Sequence, residues 1–125
     1  VDFNALGQAI DSTWGRSSTP KTASYSVKML LSGENTMCIS YQAIVNFGTE
    51  NQMIEMKRRY ASEADSVVSA TIKSVKSRYK DLSGSSLSTK VIEESQQDSL
   101  EIINLNVHNA KRTALFRRKV NVEVG

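Results

Sequence analysis

The chain has 125 residues, of which 39% are hydrophobic and 23% charged, and carries a formal net charge of +3. That length supports one domain with a real core, and the composition excludes both a disordered chain and a membrane-embedded one. The longest uninterrupted apolar runs are only a few residues, such as "MLL" at 29–31, which rules out a spanning helix. The opening "VDFNALGQAI" has neither the basic start nor the long apolar run of a secretory signal. Cys38 is the single cysteine and forms no internal disulfide, and no N-x-Ser/Thr sequon occurs. These features predict a protein of the cytoplasm or of an assembled particle, with no membrane partner.

In chain order, Asp2 is placed to cap a short helix whose stripe is Phe3, Leu6, Ile10 and Trp14, with Gly15 as its left-handed stop. "GRSSTPKTAS" at 15–24 reads as a loop. A hairpin follows. Tyr25, Val27, Met29 and Leu31 form one apolar face, "SGEN" turns, and Met37, Ile39, Tyr41, Ala43, Val45 and Phe47 continue that face. Thr49 with Gln52 predicts a capping box. Beyond it, Met53, Met56, Tyr60, Ala64, Val67, Thr71, Val75 and Leu82 recur at the helical period, widened by Val68, Ile72 and Tyr79 and ended by Gly84. At 1.5 Å per residue this helix is roughly 45–50 Å long.

The last third predicts three strands, near 86–94, 99–108 and 113–124, with turns at "SQQD" and "NAKR". The expected fold is therefore α+β in one domain, 1–125: a short N-terminal helix, a hairpin, a long amphipathic helix and a three-stranded meander. One antiparallel sheet would curve around the long helix. This order of elements resembles the plan of cystatin-like and other cone-shaped α+β folds, a likeness of layout alone.

No residues are expected to be catalytic, and no cofactor or metal is implied. His108 is the single histidine and would need Cys38 or a serine for nucleophilic chemistry. One histidine and one cysteine lack zinc-ligand spacing. Glu93, Glu94, Asp98 and Glu101 surround a predicted turn, where carboxylates are solvated rather than convergent. Two cationic groups stand out. Lys73, Lys76, Arg78 and Lys80 finish the long helix, where cations suit the dipole. Lys111, Arg112, Arg117, Arg118 and Lys119 are denser and form a candidate phosphate or nucleic-acid contact, with Arg118 expected at the sheet edge. Leu30, Ile44, Ile92 and Ile102 fall on the polar phase of their strands and form a candidate protein interface if they cluster.

The leading functional expectation is a non-enzymatic interaction or assembly module, self-associating through the open sheet face or the long helix, as in a small structural subunit of a larger particle. The alternative is a nucleic-acid-associated accessory protein using 111–119. A second alternative is a small-molecule binder or enzyme using the cone interior, with Tyr41 and Tyr60 facing inward.

Overall fold

The computed structural model describes residues 1–13, 15–19, 23–106 and 111–125. The elements are α1 (Phe3–Thr13), β1 (Gly15–Thr19), β2 (Ala23–Gly33), β3 (Thr36–Phe47), α2 (Glu50–Ser83), β4 (Thr89–Asn106) and β5 (Lys111–Val124). The strands form one antiparallel sheet in the order β1-β2-β3-β5-β4. The fold is α+β, as the order of patterned segments predicts. Trp14, Pro20, Val107 and His108 lie outside the described residues.

Local chemistry sets the helix ends. Asp2 Oδ1 accepts from the Asn4 and Ala5 amides at 3.1 and 3.3 Å, which caps α1. The Asp2 amide also donates to the Tyr79 hydroxyl at 3.0 Å, tying the start of α1 to the last turns of α2. The Thr49 and Gln52 side chains satisfy each other's backbone amides in a full capping box. Gly84 takes φ +74°, and its amide donates to Lys80 O at 2.8 Å. Side chains other than glycine rarely tolerate that conformation, so the stop is positional.

The core is the helix-facing side of the sheet. Val27 and Met29 of β2, Met37 to Phe47 at alternate positions of β3, and Ala114, Phe116, Val120, Val122 and Val124 of β5 are all buried. They meet Tyr60, Ala64, Val68, Val75 and Tyr79 of α2 and Ala5, Leu6, Ala9 and Ile10 of α1. Tyr41 and Phe116 meet edge to face, with ring centroids 6.3 Å apart. The stripe of α2 is buried mostly where its period predicts, but Leu82 lies beyond the sheet's cover and is exposed, as is Phe3 of α1.

Two expectations are corrected. "GRSSTPKTAS" is not wholly a loop. Gly15–Thr19 is an edge strand paired to β2, with Gly15 opposite Val27, so Gly15 opens a strand rather than closing a helix. A run rich in Ser and Thr lacks an apolar face, and only the neighbouring strand makes it extended. Among the described residues the last third holds two strands instead of three. "SQQD" is no hairpin turn, because Ile92 pairs with Asn121 and Gln97 pairs with Lys119. Residues 93–96 thus oppose Val120 alone, as a wide bulge in one long strand. Ser95 Oγ pins it, donating to Ile92 O at 2.6 Å and accepting from the Asn121 amide at 2.8 Å.

Tyr60 gives the fold a readable pH dependence. Its phenol is pushed above the ordinary value of 10.0, first by burial and then by Glu63, while Arg59, whose guanidinium lies 5.7 Å from the ring centre, works the other way. The unfolded chain therefore releases this proton at a lower pH than the folded one. The stabilisation is complete below pH 10 and is lost as pH rises through the folded-state value. Urea midpoints measured on either side of pH 10 should fall less steeply for Tyr60→Phe than for the native chain.

Candidate functional site

The two bulges in β4 decide which side chains reach which surface. Before the first, Val91 shares the helix-facing side with Val122, and Ile92 faces outward with Asn121. After it the parity is reversed, so Asp98, Leu100 and Ile102 line up with Arg118, Phe116 and Ala114 on the helix side. A second irregularity at Ile103 reverses it again, and Leu105 falls opposite Arg112.

Arg118 does not lie at the sheet edge. It is buried in the row Val27–Tyr41–Arg118–Asp98, beneath α2. Its Nε donates to Asp98 Oδ1 at 2.6 Å and its Nη2 to Asp98 Oδ2 at 2.9 Å, a two-pronged pair. Nη1 donates to Asp65 Oδ1 of α2. The hydrogen bond donated to Asp98 leads in pushing the guanidinium's pKa further up; burial opposes it and Asp65 adds to it. Arg118 therefore belongs to the fold and is not presented to a phosphate ligand. The Asp98 side chain is 32% exposed and that of Asp65 68%, so the Asp98 pair is the stronger of the two.

The remaining cations sit elsewhere. On the outward face, Lys28, Ser40, Lys119 and Gln97 form one cross-strand row, and Ser26, Gln42, Arg117 and Ser99 form the next. No acidic residue stands in either row. Arg117 is half-buried, and its Nε is buried with no hydrogen-bond partner among the described residues. Lys28 escaped the sequence reading because it lies 91 positions from Lys119, and only the pairing of β2 to β3 to β5 brings them together. Arg112 is exposed in the helix-facing phase, opposite Phe47, and Lys111 pairs with Asn106 at the end of β5. The five-residue basic cluster is thus divided between two faces and one end.

The four-residue apolar interface is divided as well. Leu30 and Ile92 stand at opposite ends of one outward row, separated by Cys38 and Asn121. Ile44 pairs with Leu115, six positions along β3 from Cys38 and so about 20 Å away. Ile102 is on the helix side, for the parity reason above. There it joins residues that periodicity alone did not select. Ile102, Ile103 and Leu105 are 46%, 51% and 57% exposed. Ile54 of α2, also exposed, lies eleven positions before Asp65, about three turns, and hence on the same helix stripe. Since Asp65 reaches Arg118 and Asp98 lies beyond it, that stripe looks toward β4. The far end of β4 and the first turns of α2 therefore carry an exposed aliphatic group: Ile54, Ile102, Ile103 and Leu105.

The sites weighed for chemistry separate similarly. Cys38 is half-buried on the outward face between Leu30 and Asn121. Glu93 and Glu94 lie in the bulge and, with Lys90, Ile92, Thr36 and Glu123, border an open groove of about 490 Å³. No group of three or more potential ligands is placed to hold a metal ion among the described residues. Tyr41 and Tyr60, expected to line a cone interior, are both buried in packed core. No described helix is long and apolar enough to cross a membrane. Compared with protein-family models, with curated proteins and with solved structures, the chain matches none.

Truncating Asp98 should show how far the fold leans on the ion pair. Asp98→Ala leaves a buried cation short of its main partner, and should lower stability in urea by about 2–3 kcal/mol. Asp65→Ala should cost under about 1 kcal/mol. The joint replacement Asp98→Leu with Arg118→Met should be less damaging than Asp98→Ala, because it removes both charges together.

Proposed function

We propose that this protein is a non-enzymatic assembly module that associates with itself through the aliphatic end formed by β4 and α2. One observation carries this reading: Ile54, Ile102, Ile103 and Leu105 are large, exposed and concentrated at one end of the fold. Single exposed aliphatics are ordinary, but a group of four along a sheet edge and the adjoining helix is costly unless it is covered. Three lie within a four-residue stretch of an edge strand, where uncovered apolar surface promotes association. A small structural subunit of a larger particle fits such a surface.

Light scattering on the purified chain should give about twice the 13.8 kDa of one copy. The mass should be the same at low and high salt, because an apolar contact is not screened. Ile103→Lys combined with Leu105→Lys should return it to a single copy with stability changed by under about 0.5 kcal/mol, as for surface positions. A native chain that stays single at high concentration overturns the reading.

A second reading has its own support in the outward rows. Arg117 and Lys119 stand in rows of Ser and Gln side chains, and the Nε of Arg117, which has no hydrogen-bond partner among the described residues, suits an anionic ligand. Such a surface fits phosphate groups of a nucleic acid, held without base readout, since no aromatic side chain interrupts the rows. Binding of a labelled single-stranded oligonucleotide should weaken as salt rises. The double variant Arg117→Gln, Lys119→Gln should cut the salt slope by about 1.4. Absence of binding at low salt removes this second reading.

A further inference from the structure

The edge carrying the aliphatic group also has backbone that no described strand pairs. β4 pairs with β5 on one side and with no described strand on the other. Its outward-pointing amides and carbonyls along that side form a template for another strand. Edge strands usually carry charge, proline or a bulge against such pairing. The first part of β4 does: Lys90, Glu93, Glu94, the 93–96 bulge, Asp98 and Glu101 all fall there. From Ile102 to Asn106 the strand has no charge and no proline, and its residues are Ile, Ile, Asn, Leu and Asn. Protection by charge therefore stops at Glu101, where the exposed aliphatic residues begin, and the single-residue irregularity at Ile103 is the one interruption beyond it.

We propose that this segment is closed by the same segment of a second copy, the two β4 strands running antiparallel about a two-fold axis. Two five-stranded sheets then join edge to edge. The inference rests on the self-association reading above and specifies its geometry. Charge selects the orientation. In parallel alignment, Asp98 and Glu101 of each copy would stand beside their own counterparts, and like charges directly opposite destabilise a strand pair. Antiparallel alignment about the 102–106 segment sends the acidic halves in opposite directions. Area selects the participants. Five paired residues per copy fall short of the roughly 800 Å² per partner typical of a stable complex. Ile54, Ile102 and Leu105, on the helix side, supply the additional surface by packing across the axis. Topology limits the assembly. A contact of β4 with β4 uses the same patch in both copies, so it closes at two and does not propagate into a fibre. The opposite edge, β1, has five residues and a different sequence, and it is not needed.

Spin labels on the full chain in a Cys38→Ser background test the arrangement. Asn104→Cys and Glu93→Cys place single labels on exposed positions of β4. An antiparallel pair about this segment should bring the two labels at 104 within about 20 Å, allowing for the label arms. It should hold the labels at 93 beyond about 50 Å, given about 3.3 Å per residue along each strand. Short distances at both positions would mean a parallel pair and would overturn the inference. A dimer with long distances at 104 would also overturn it, placing the contact elsewhere while leaving self-association intact. A chain that stays single by light scattering would overturn both readings together.

Discussion

Arg118 is the residue on which three elements converge. It belongs to β5, takes both oxygens of Asp98 from β4, and reaches Asp65 on α2. A guanidinium is too expensive to desolvate alone, so its burial requires a carboxylate in the same layer. That requirement aligns the edge strand with its neighbour at one row of the sheet. It also sets which stripe of α2 looks toward β4. Apolar packing gives the sheet and helix most of their stability, but packing is non-directional. The two-pronged pair adds direction, because only one row of β4 offers an aspartate to that position.

The bulge at 93–96 makes the pair possible. Side chains alternate along a strand, so an uninterrupted β4 in the pairing that begins at Thr89 would send even-numbered residues outward. Asp98 would then face solvent, and Arg118 would be buried without it. The inserted residues reverse the parity, and Ser95 holds the insertion by bonding to both strands. The same reversal turns Ile102 to the helix side and brings it into the group with Ile54 and Leu105. One local irregularity thus determines both an internal ion pair and the composition of an exposed surface.

The two faces of the sheet divide the chemistry of the protein. The helix side is mostly apolar, with the row of Arg118 inside it and exposed Arg112 at one end, and exposed aliphatics of β4 stand at that same end. The outward side is polar and cationic at its centre, with Leu30, Ile92 and Ile44 dispersed toward its margins. In the proposals above, a second copy of the chain covers the first surface and a phosphate polymer the second. The two surfaces do not overlap, so one contact would leave the other open.

Much of the fold was legible in the amino-acid order. Asp2, Thr49, Gln52 and Gly84 mark helix ends through short-range hydrogen bonds, and the period-two runs identify a buried face at Val27, Met29 and alternate positions of 37–47 without knowledge of the partners, although Leu31 is exposed. These features depend on residues a few positions apart. The strand Gly15–Thr19 was not legible, because Ser and Thr extend there only against β2. The single long β4 was not legible either, because "SQQD" has turn composition and becomes a bulge only when β5 lies alongside. The candidate surfaces required the tertiary structure throughout. Lys28 falls in one row with Lys119, and Arg118 leaves the basic cluster for the interior, both through pairings between distant segments. Sequence by itself determined the elements and their apolar faces, since those follow from local periodicity and capping. Tertiary structure decided strand register, and register decides which side chains meet solvent, which meet a carboxylate and which pack in the core.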